Sequence, residues 1–481
     1  MPSSLSRQLF LPVLRLALLA ACAAPTAQAQ RLLKPGPAKS TGVSAWVTTA
    51  DKKLLFQPQP GTLKFAAGTS AYPSIEIDEA KTYQTIDGFG YCLTGGSAQL
   101  LHQMAPAERA RLLRELFGTD GRNIGVSYLR VSIGASDLDD RVFSYDDLPA
   151  GQTDPTLAHF SLAPDQMHLL PVLKEILAIN PRIKILGSPW SPPTWMKTNG
   201  ESKGGSLKPE FYDAYARYFV KYLEGMKAAG VRIDAITVQN EPLHPGNNPS
   251  LLMLAEQQAE FIGKHLGPAF RQARLDTKII CYDHNADKPE YPLTVLNDAT
   301  AAPYVDGSAF HLYAGPIEAL SKVHDAHPEK NVYFTEQWVG SKSKFDENLR
   351  WHVKTLIIGG TRNWARTVLE WNLAADPQQN PHTPGGCTEC LGALTLAGNT
   401  VTRNEAYYII AHASKFARPG SVRIASSLPA QLPNVAFRTP AGQRVLVVLN
   451  DGAAAQTFSI RQGGRQAAAT LPAGAVGTYV W

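Results

Sequence analysis

Between residues 83 and 373, short apolar or β-branched runs alternate with segments whose apolar residues recur at helical spacing. Eight such runs occur, at 83–90, 125–134, 183–190, 235–242, 277–283, 307–313, 331–337 and 366–373. The runs are apolar throughout, which is typical of parallel strands covered on both faces. The clearest helical segment is 211–229, whose aromatic stripe we interpret as a face that packs on the strands.

Eight β/α repeats over about 290 residues predict a (β/α)8 TIM barrel spanning 83–418. A doubly wound open sheet is the alternative, but no strand is followed by the glycine spacing of a dinucleotide-binding turn. The flanks, 30–82 and 419–481, contain alternating strand patterns separated by turn residues. We expect these two segments to form a single appended β-sandwich from both ends of the chain.

The first 29 residues are typical of an export signal. Arg7 precedes the apolar segment 9–24, and the small residues "AQA" follow at 27–29, which predicts cleavage near Ala29. The "LAAC" sequence at 19–22 also resembles a lipoprotein signal, in which case Cys22 would carry the lipid anchor. The protein is therefore expected to be secreted or periplasmic, or anchored at the cell surface through Cys22. No other apolar stretch is long enough to predict a transmembrane helix.

Composition narrows the possible partners and cofactors. The formal charge is +5 and the basic residues are scattered, so no nucleic-acid-binding arm is predicted. In an exported chain the pair Cys387 and Cys390 predicts a small loop disulfide, because no second pair at this spacing exists to complete a zinc site. We expect a monomer without a metal or other cofactor, acting on a carbohydrate.

Polar and aromatic residues stand at the predicted strand ends, where the catalytic residues of a barrel are found. The fourth run ends in Asn240 and Glu241, and the seventh ends in Glu336. The other strand ends carry further candidates: Asp137, Trp190, His311, Tyr313 and Trp371. Two opposed carboxylates with tryptophans describe a glycosidase site, in which one acid protonates the leaving oxygen and the other attacks the sugar or activates water.

The neighbours of the two glutamates suggest which role each one has. Asn240 can hold a sugar 2-hydroxyl beside Glu241, so Glu241 is predicted to be the proton donor, which requires a raised pKa. Glu336 lies near Tyr313 and is predicted to be the nucleophile, kept ionised by hydrogen bonds. Asp137 is expected to bind hydroxyls, and Trp190 and Trp371 to offer apolar faces to the sugar.

Several longer motifs carry a family resemblance. "DGFGYCLTGG", "SPWSPPTWMKTNG", "YARYFVKYLE", "TVQNEP", "FTEQWVG", "EWNLAADP" and "HASKFARPGS" occur in this order between residues 87 and 421. Together they resemble glycoside hydrolase family 30, which includes lysosomal glucosylceramidase and microbial endo-β-1,6-glucanases. The resemblance implies a barrel with a β-sandwich built from both termini, and hydrolysis of β-glucosidic bonds with retention.

The resemblance also implies residue roles. Glu241 matches the family's acid/base and Glu336 its nucleophile. The remaining matches line the sugar subsite: Asp137, Trp190, Asn240, His311, Tyr313 and Trp371.

Two departures from glucosylceramidase bear on the substrate. Leu312 stands where that enzyme has a tryptophan, and the loop 376–392 differs and contains both cysteines of the predicted disulfide. We therefore favour a β-1,6-glucan or related β-glucoside over a glycolipid. Glucosylceramidase activity proper and a non-catalytic carbohydrate-binding protein are the alternatives. A metal-dependent hydrolase is disfavoured because His311 is the only histidine at a predicted strand end.

Overall fold

Eight parallel strands close into a barrel in the middle of the chain. The computed structural model describes residues 42–481. The barrel strands are Gly88–Cys92, Tyr128–Ser132, Lys184–Ser188, Ala235–Thr237, Lys278–Asn285, Val305–His311, Asn331–Glu336 and Ala365–Asn372. They follow chain order around the barrel, and the eighth strand pairs with the first to close it. The prediction of a (β/α)8 barrel with an appended sandwich is confirmed.

Helices alternate with the barrel strands. Their bounds are Gly95–Gln103, Pro106–Phe117, Ala163–Met167, Leu169–Ile179, Tyr212–Ala228, Ala255–Glu260, Gly267–Ala273, Glu290–Asn297, Ala319–Ala326, Phe345–His352 and Glu405–Ser414. Wider π-helical turns extend two of them over Phe261–Leu266 and Val353–Gly360, and short 3-10 turns occur at Thr194–Met196, Pro209–Phe211 and Ala302–Tyr304. The aromatic stripe of Tyr212–Ala228 is buried in the main core, as predicted.

The predicted first strand, 83–90, divides between two sheets. A long strand, Ser74–Thr85, belongs to the sandwich, and the first barrel strand starts only at Gly88. Gly88 has φ 152, a conformation that side-chain-bearing residues rarely adopt, and it lets the chain change direction between the sheets. A Cβ at Gly90 would lie 1.9 Å from the Tyr128 carbonyl oxygen, so this close strand contact also requires glycine. Apolar patterning alone does not mark such a break.

The sandwich combines strands from both ends of the described chain. Its ten-stranded sheet contains Ser44–Thr48, Gln57–Pro58, Ala66–Ala67, Ser74–Thr85, Val422–Ser426, Asn434–Arg438, Arg444–Leu449, Gln456–Gln462, Arg465–Leu471 and Val476–Val480. Ser44–Thr48 pairs along its whole length with Val476–Val480. Ser74–Thr85 continues from one layer to the other, because its start pairs with Gln456–Gln462 and its remainder with Val422–Ser426.

Two smaller sheets lie beside the barrel mouth. Val339–Gly340 pairs with Cys390–Leu391, and Ala374–Ala375 pairs with Leu394–Ala397, which in turn pairs with Thr400–Arg403. These pairings tie the segments that follow the seventh and eighth barrel strands to one another. No helix within residues 42–481 is long and apolar enough to cross a membrane. The predicted export signal and Cys22 lie outside the described residues.

A buried histidine joins the barrel to the sandwich. On the helix Glu405–Ser414, His412 is fully buried, and its Nδ1 and Nε2 each lie 2.8 Å from a threonine hydroxyl, of Thr478 and Thr48 respectively. The Thr478 hydroxyl donates to the His412 carbonyl at 2.8 Å, and Thr48 Oγ1 already accepts from the Phe56 amide. The Thr478 hydrogen is therefore already used, so Nδ1–H donates to Thr478, and in the neutral ring Nε2 accepts from the Thr48 hydroxyl. Burial lowers the pKa of His412 to about 3.

This neutral ring predicts a pH-dependent stability. In the unfolded chain His412 has an ordinary pKa of about 6.5. Below that pH the unfolded chain binds a proton at His412 and the folded chain does not. The free energy of unfolding therefore decreases as pH drops from about 6.5 toward 3. Between pH 7 and pH 5 we expect His412 to account for a loss of about 2 kcal/mol, and His412→Gln to remove that part of the slope. Urea unfolding at several pH values measures it. His327→Gln, a change of a half-exposed histidine, is the control, and an unchanged slope in His412→Gln would contradict the assignment.

Candidate active site

The barrel interior changes from apolar to polar along the strand direction. An apolar layer fills it first, contributed by seven strands: Tyr128, Leu186, Ala235, Ile280, Ala309, Tyr333 and Leu369. Side chains two residues apart on a strand point to the same face, so the next layer toward the C-terminal ends also faces the interior. That layer is mostly polar: Arg130, Ser188, Thr237, His311, Thr335 and Trp371. The candidate site is thus a polar mouth closed from below by packed apolar side chains.

Arg130 lies at the centre of this polar layer and is fully buried. Its Nη1 donates to Glu336 Oε2 at 2.5 Å, and its Nη2 donates to Asp283 Oδ2 at 2.8 Å and to Asn240 Oδ1 at 2.6 Å. The guanidinium also stacks on the Trp190 ring, 4.8 Å from its centroid. One cation therefore connects residues from the second, fourth, fifth and seventh strands and compensates two buried carboxylates.

Asp283 is turned into the barrel by a local irregularity of the fifth strand. Both Tyr282 and Asp283 have positive φ, at 73° and 69°, and the strand pairing shifts by one residue nearby. This bulge places the Asp283 carboxylate in the interior, where it accepts hydrogen bonds from Thr237 and Thr335 at 2.7 and 2.6 Å. Burial raises the pKa of Asp283, but the charge of Arg130 together with the hydrogen bonds of His311 and Thr335 and the charge of His311 outweighs burial, so the net pKa lies well below the ordinary value.

Glu336 ends the seventh strand, and donors hold both of its oxygens. Arg130 donates to Oε2, and the Tyr313 hydroxyl donates to Oε1 at 2.8 Å. Tyr313 follows the sixth strand, as predicted, and is 39% exposed, so it forms part of the open wall of the site. Two donors on one carboxylate fix its orientation and favour its ionised form.

Glu241 follows the fourth strand in a strained backbone conformation. Its φ is 45°, which is uncommon for a residue with a side chain, and its amide donates to the Asp283 carbonyl at 3.0 Å. Glu241 Oε1 is hydrogen-bonded to His311 Nδ1 at 3.2 Å, and Oε2 accepts from Asn247 at 3.4 Å. The turn at Glu241 and Pro242, which follows the fourth strand, thus directs the Glu241 carboxylate toward the barrel axis.

His311 lies between three carboxylates. Its Nδ1 is 3.2 Å from Glu241 and 3.7 Å from Glu336, and its Nε2 is 3.1 Å from Asp283. Burial lowers the pKa of His311, but the charge of Glu336 and the hydrogen bonds to Asp283 and Glu241 outweigh burial and raise it to about 9. The ring is therefore an imidazolium at neutral pH, and both ring N–H groups donate to carboxylates.

The two glutamates face each other across the mouth. One oxygen of Glu241, one of Glu336 and a ring nitrogen of His311 all lie within 4.8 Å of one another. Such a triad has the ligand types of a metal site. The neighbouring charges oppose a cation there, because His311 is protonated and Arg130 already pairs with Glu336.

The pKa values of the pair differ from the sequence expectation. Burial raises the pKa of Glu336; the charges of His311 and Arg130 lower it, but the charge of Glu241 adds to burial, so the net pKa lies above the ordinary value, contrary to the expectation that hydrogen bonds keep Glu336 ionised. Burial also raises the pKa of Glu241, but the hydrogen bond and charge of His311 outweigh burial, so its net pKa is lowered. The raised pKa expected for Glu241 is therefore absent in the free protein, because a cationic histidine contacts it.

The structure limits the exposure of the two predicted tryptophans. Trp190 and Trp371 stack on each other with ring centroids 5.4 Å apart, and they are only 1% and 4% exposed. The Arg130 guanidinium packs against both rings, 4.8 Å from the Trp190 centroid and 5.8 Å from the Trp371 centroid, so the tryptophans support the arginine and offer a sugar less surface than expected. Trp338 packs against the same cluster and is half-buried.

Asp137 is held by the loop that follows the eighth strand. Its main-chain carbonyl accepts from the Thr383 amide at 2.9 Å, and its carboxylate accepts from the Cys387 amide at 3.3 Å. Burial and the charge of Glu336 raise the pKa of Asp137 to about 7. Cys387 and Cys390 are joined in a disulfide within this loop. The loop 376–392 therefore forms one wall of the site and positions Asp137.

Comparison with known proteins agrees with this architecture. The model described as "Glycosyl hydrolase family 30 TIM-barrel domain" matches residues 86–417, and that of the family's beta sandwich domain matches 420–479. The chain belongs to glycoside hydrolase family 30. As a family 30 member it is an O-glycosyl hydrolase, and a carbohydrate substrate fits the polar mouth.

Individual relatives in family 30 include two activities. An endo-1,6-beta-D-glucanase of Neurospora crassa is 37% identical over 408 residues, covering 81% of this chain and 83% of the relative. The lysosomal acid glucosylceramidase of Mus musculus is 30% identical over 436 residues, covering 85% and 83%. A solved endo-beta1,6-glucanase superposes with a TM-score of 0.86 at 34% identity, covering 92% of this chain and 99% of that one.

The central role of Arg130 generates a stability prediction. Arg130→Met leaves Asp283 and Glu336 as buried carboxylates without their cation, so we expect a loss of about 3–5 kcal/mol in unfolding free energy. The double variant Arg130→Met/Asp283→Asn lacks one of the two uncompensated charges and should recover part of that loss. Urea unfolding of the single and double variants measures this non-additivity. Arg141→Met, which removes an exposed ion pair, is the control and should change stability little. Equal losses for the Arg130 and Arg141 variants would contradict the central role.

Proposed function

We propose that this family 30 protein is a retaining β-glycoside hydrolase that cleaves β-glucosidic bonds by double displacement through Glu241 and Glu336. The short distance between the two carboxylates is the main support for this proposal, because one oxygen of Glu241 lies within 4.8 Å of one oxygen of Glu336. Retaining enzymes hold their carboxyl groups about 5–5.5 Å apart, whereas inverting enzymes need about 6.5–9.5 Å to admit a water molecule. The observed separation supports direct attack by one carboxylate.

The hydrogen bonds of Glu336 support its assignment as the nucleophile. Attack on the anomeric carbon requires an ionised, oriented carboxylate, and Arg130 and Tyr313 each donate to one of its oxygens. In the first step Glu241 donates its proton to the departing glycosidic oxygen while Glu336 forms the glycosyl ester. In the second step Glu241 removes a proton from water as the water oxygen attacks the anomeric carbon, and the bond between that carbon and Glu336 breaks so that Glu336 leaves as carboxylate with retention overall.

The first step requires Glu241 to be protonated. In the free protein His311 opposes this by stabilising the Glu241 carboxylate. A sugar in the mouth displaces water from both acids, and the added desolvation raises the pKa of Glu241. Once Glu336 is esterified its charge is gone, and the cationic His311 then favours the ionised Glu241 that the second step needs as a base. The same histidine thus assists the deglycosylation half of the cycle.

For the substrate, we favour a β-1,6-linked glucan. Three fungal relatives at 32–37% identity are named endo-1,6-beta-D-glucanases, and the glucosylceramidases among the relatives are 26–32% identical. Leu312 and the loop 376–392 are two departures from glucosylceramidase that bear on the substrate, and the loop lines the site through Asp137. The N-terminal signal pattern and these relatives support export, where the enzyme would meet extracellular glucan.

A substrate panel tests the proposed linkage. The purified chain is incubated with pustulan, laminarin, a xylan and glucosylceramide, and products are identified by chromatography and mass spectrometry. We expect gluco-oligosaccharides from pustulan and no comparable release from laminarin or xylan. Preferential release of ceramide would assign the glycolipid activity instead, and binding of pustulan without any product would favour the non-catalytic alternative.

A matched pair of variants tests the two roles. Glu336→Ala should lower kcat at least about 10⁴-fold, and azide should restore part of it as a glycosyl azide of inverted configuration, because a small anion fits the space left by the carboxylate. Glu241→Ala should slow substrates with poor leaving groups far more than activated aryl glucosides, since only the former need the proton.

NMR of the azide adduct tests the Glu336 variant, and the ratio of rates on the two substrate types tests the Glu241 variant. Wild-type turnover in Glu336→Ala, or equal losses on both substrate types in Glu241→Ala, would refute the respective role.

A further inference from the structure

A second cluster of potential metal ligands lies outside the proposed catalytic pair. The loop 133–162, between the second barrel strand and the helix Ala163–Met167, contains Asp146, Asp154 and His159. Each places one ligand atom within 4.8 Å of the other two. The proposed mechanism uses none of these three residues.

Asp146 is buried without compensation. It is 1% exposed, and neither of its carboxylate oxygens accepts a hydrogen bond from any residue in the described range 42–481. The nearby indole N–H of Trp195 donates to the main-chain carbonyl of Asp146 at 3.0 Å, so that donor does not satisfy the carboxylate. A buried carboxylate with two unpartnered oxygens is costly unless a cation completes its surroundings.

The other two residues complete a mixed oxygen and nitrogen set. Asp154 is 6% exposed, and its Oδ2 lies 2.9 Å from His159 Nδ1 and accepts from the His159 amide at 2.8 Å. Its Oδ1 accepts from Thr156 at 2.7 Å, which orients the carboxylate. The His159 side chain is 68% exposed, so an ion can reach the cluster from solvent.

We propose that Asp146, Asp154 and His159 form a binding site for a divalent transition-metal cation such as Zn²⁺. Carboxylate oxygens with one imidazole nitrogen suit Zn²⁺, whereas Ca²⁺ prefers six to eight oxygen ligands. The cation supplies the positive partner that Asp146 lacks. Because Asp137 lies in the same loop, the metal cross-links the long segment that forms one side of the sugar-binding mouth.

Calorimetry and thermal unfolding of the full chain, first stripped with EDTA and then titrated with ZnCl2, test the site. We expect one Zn²⁺ per chain at this site and a rise in Tm of about 3–5 °C at a concentration about 100-fold above Kd. Asp146→Asn should abolish the rise, and its metal-free Tm should equal or exceed that of the wild type, because the uncompensated charge is gone. His159→Ala should weaken Zn²⁺ binding at least about tenfold.

Two controls locate the ion. Asp140→Asn, an exposed change in the same loop, should keep the full Zn²⁺ response. Glu241→Gln should keep it as well, since that residue belongs to the other cluster. Absence of Zn²⁺ binding to the wild type, a Tm rise that persists in Asp146→Asn, or a rise lost only in Glu241→Gln would each overturn the proposal. Tighter binding of Ca²⁺ than of Zn²⁺ would exclude His159 as a ligand.

Discussion

The active site depends on one buried guanidinium. Arg130 stands where the barrel interior changes from apolar to polar side chains, and it pairs there with Asp283 and Glu336. Without this cation, two carboxylates would share a water-poor space only a few ångströms wide, where like charges repel strongly. Asn240 and the stacked Trp190 are held by the same group. The geometry of both glutamates therefore follows from a residue that need not touch the sugar.

The residues with strained backbone conformations are also residues of the buried charge network. Positive φ values at Glu241, Tyr282 and Asp283 turn their side chains away from regular strand directions, and each costs conformational energy. Asp283 recovers that cost through five hydrogen-bonding partners, among them Arg130 and His311. Asp283 in turn keeps His311 protonated and oriented toward Glu241. The proposed acid/base chemistry thus depends on the neighbouring Asp283 carboxylate, whose lowered pKa keeps it ionised and whose hydrogen bonds fix its position.

Sequence patterning recovered the barrel because buried parallel strands leave uninterrupted apolar runs. It also singled out Glu241 and Glu336, which the structure brings together at the mouth, because a carboxylate that ends such a run is unusual. It overlooked Arg130 and Asp283, although a charged residue inside an apolar run, as in "SYLRVS" and "IICYDHN", is a signal of the same kind. The break near Gly88, the burial of Trp190 and the lowered pKa of Glu241 could not be predicted, because each arises from three-dimensional neighbours far apart in sequence.

The pairing of Ser44–Thr48 with Val476–Val480 has a consequence for the order of folding. Ser44–Thr48 precedes the barrel segment and Val476–Val480 follows it, so this side of the sandwich cannot be completed before the barrel segment has been synthesised. Until then the early strand exposes unpaired backbone groups on that side. Deletion of Val476–Val480 would leave the same groups unpaired, so a strand made after the barrel completes a sheet that starts before it.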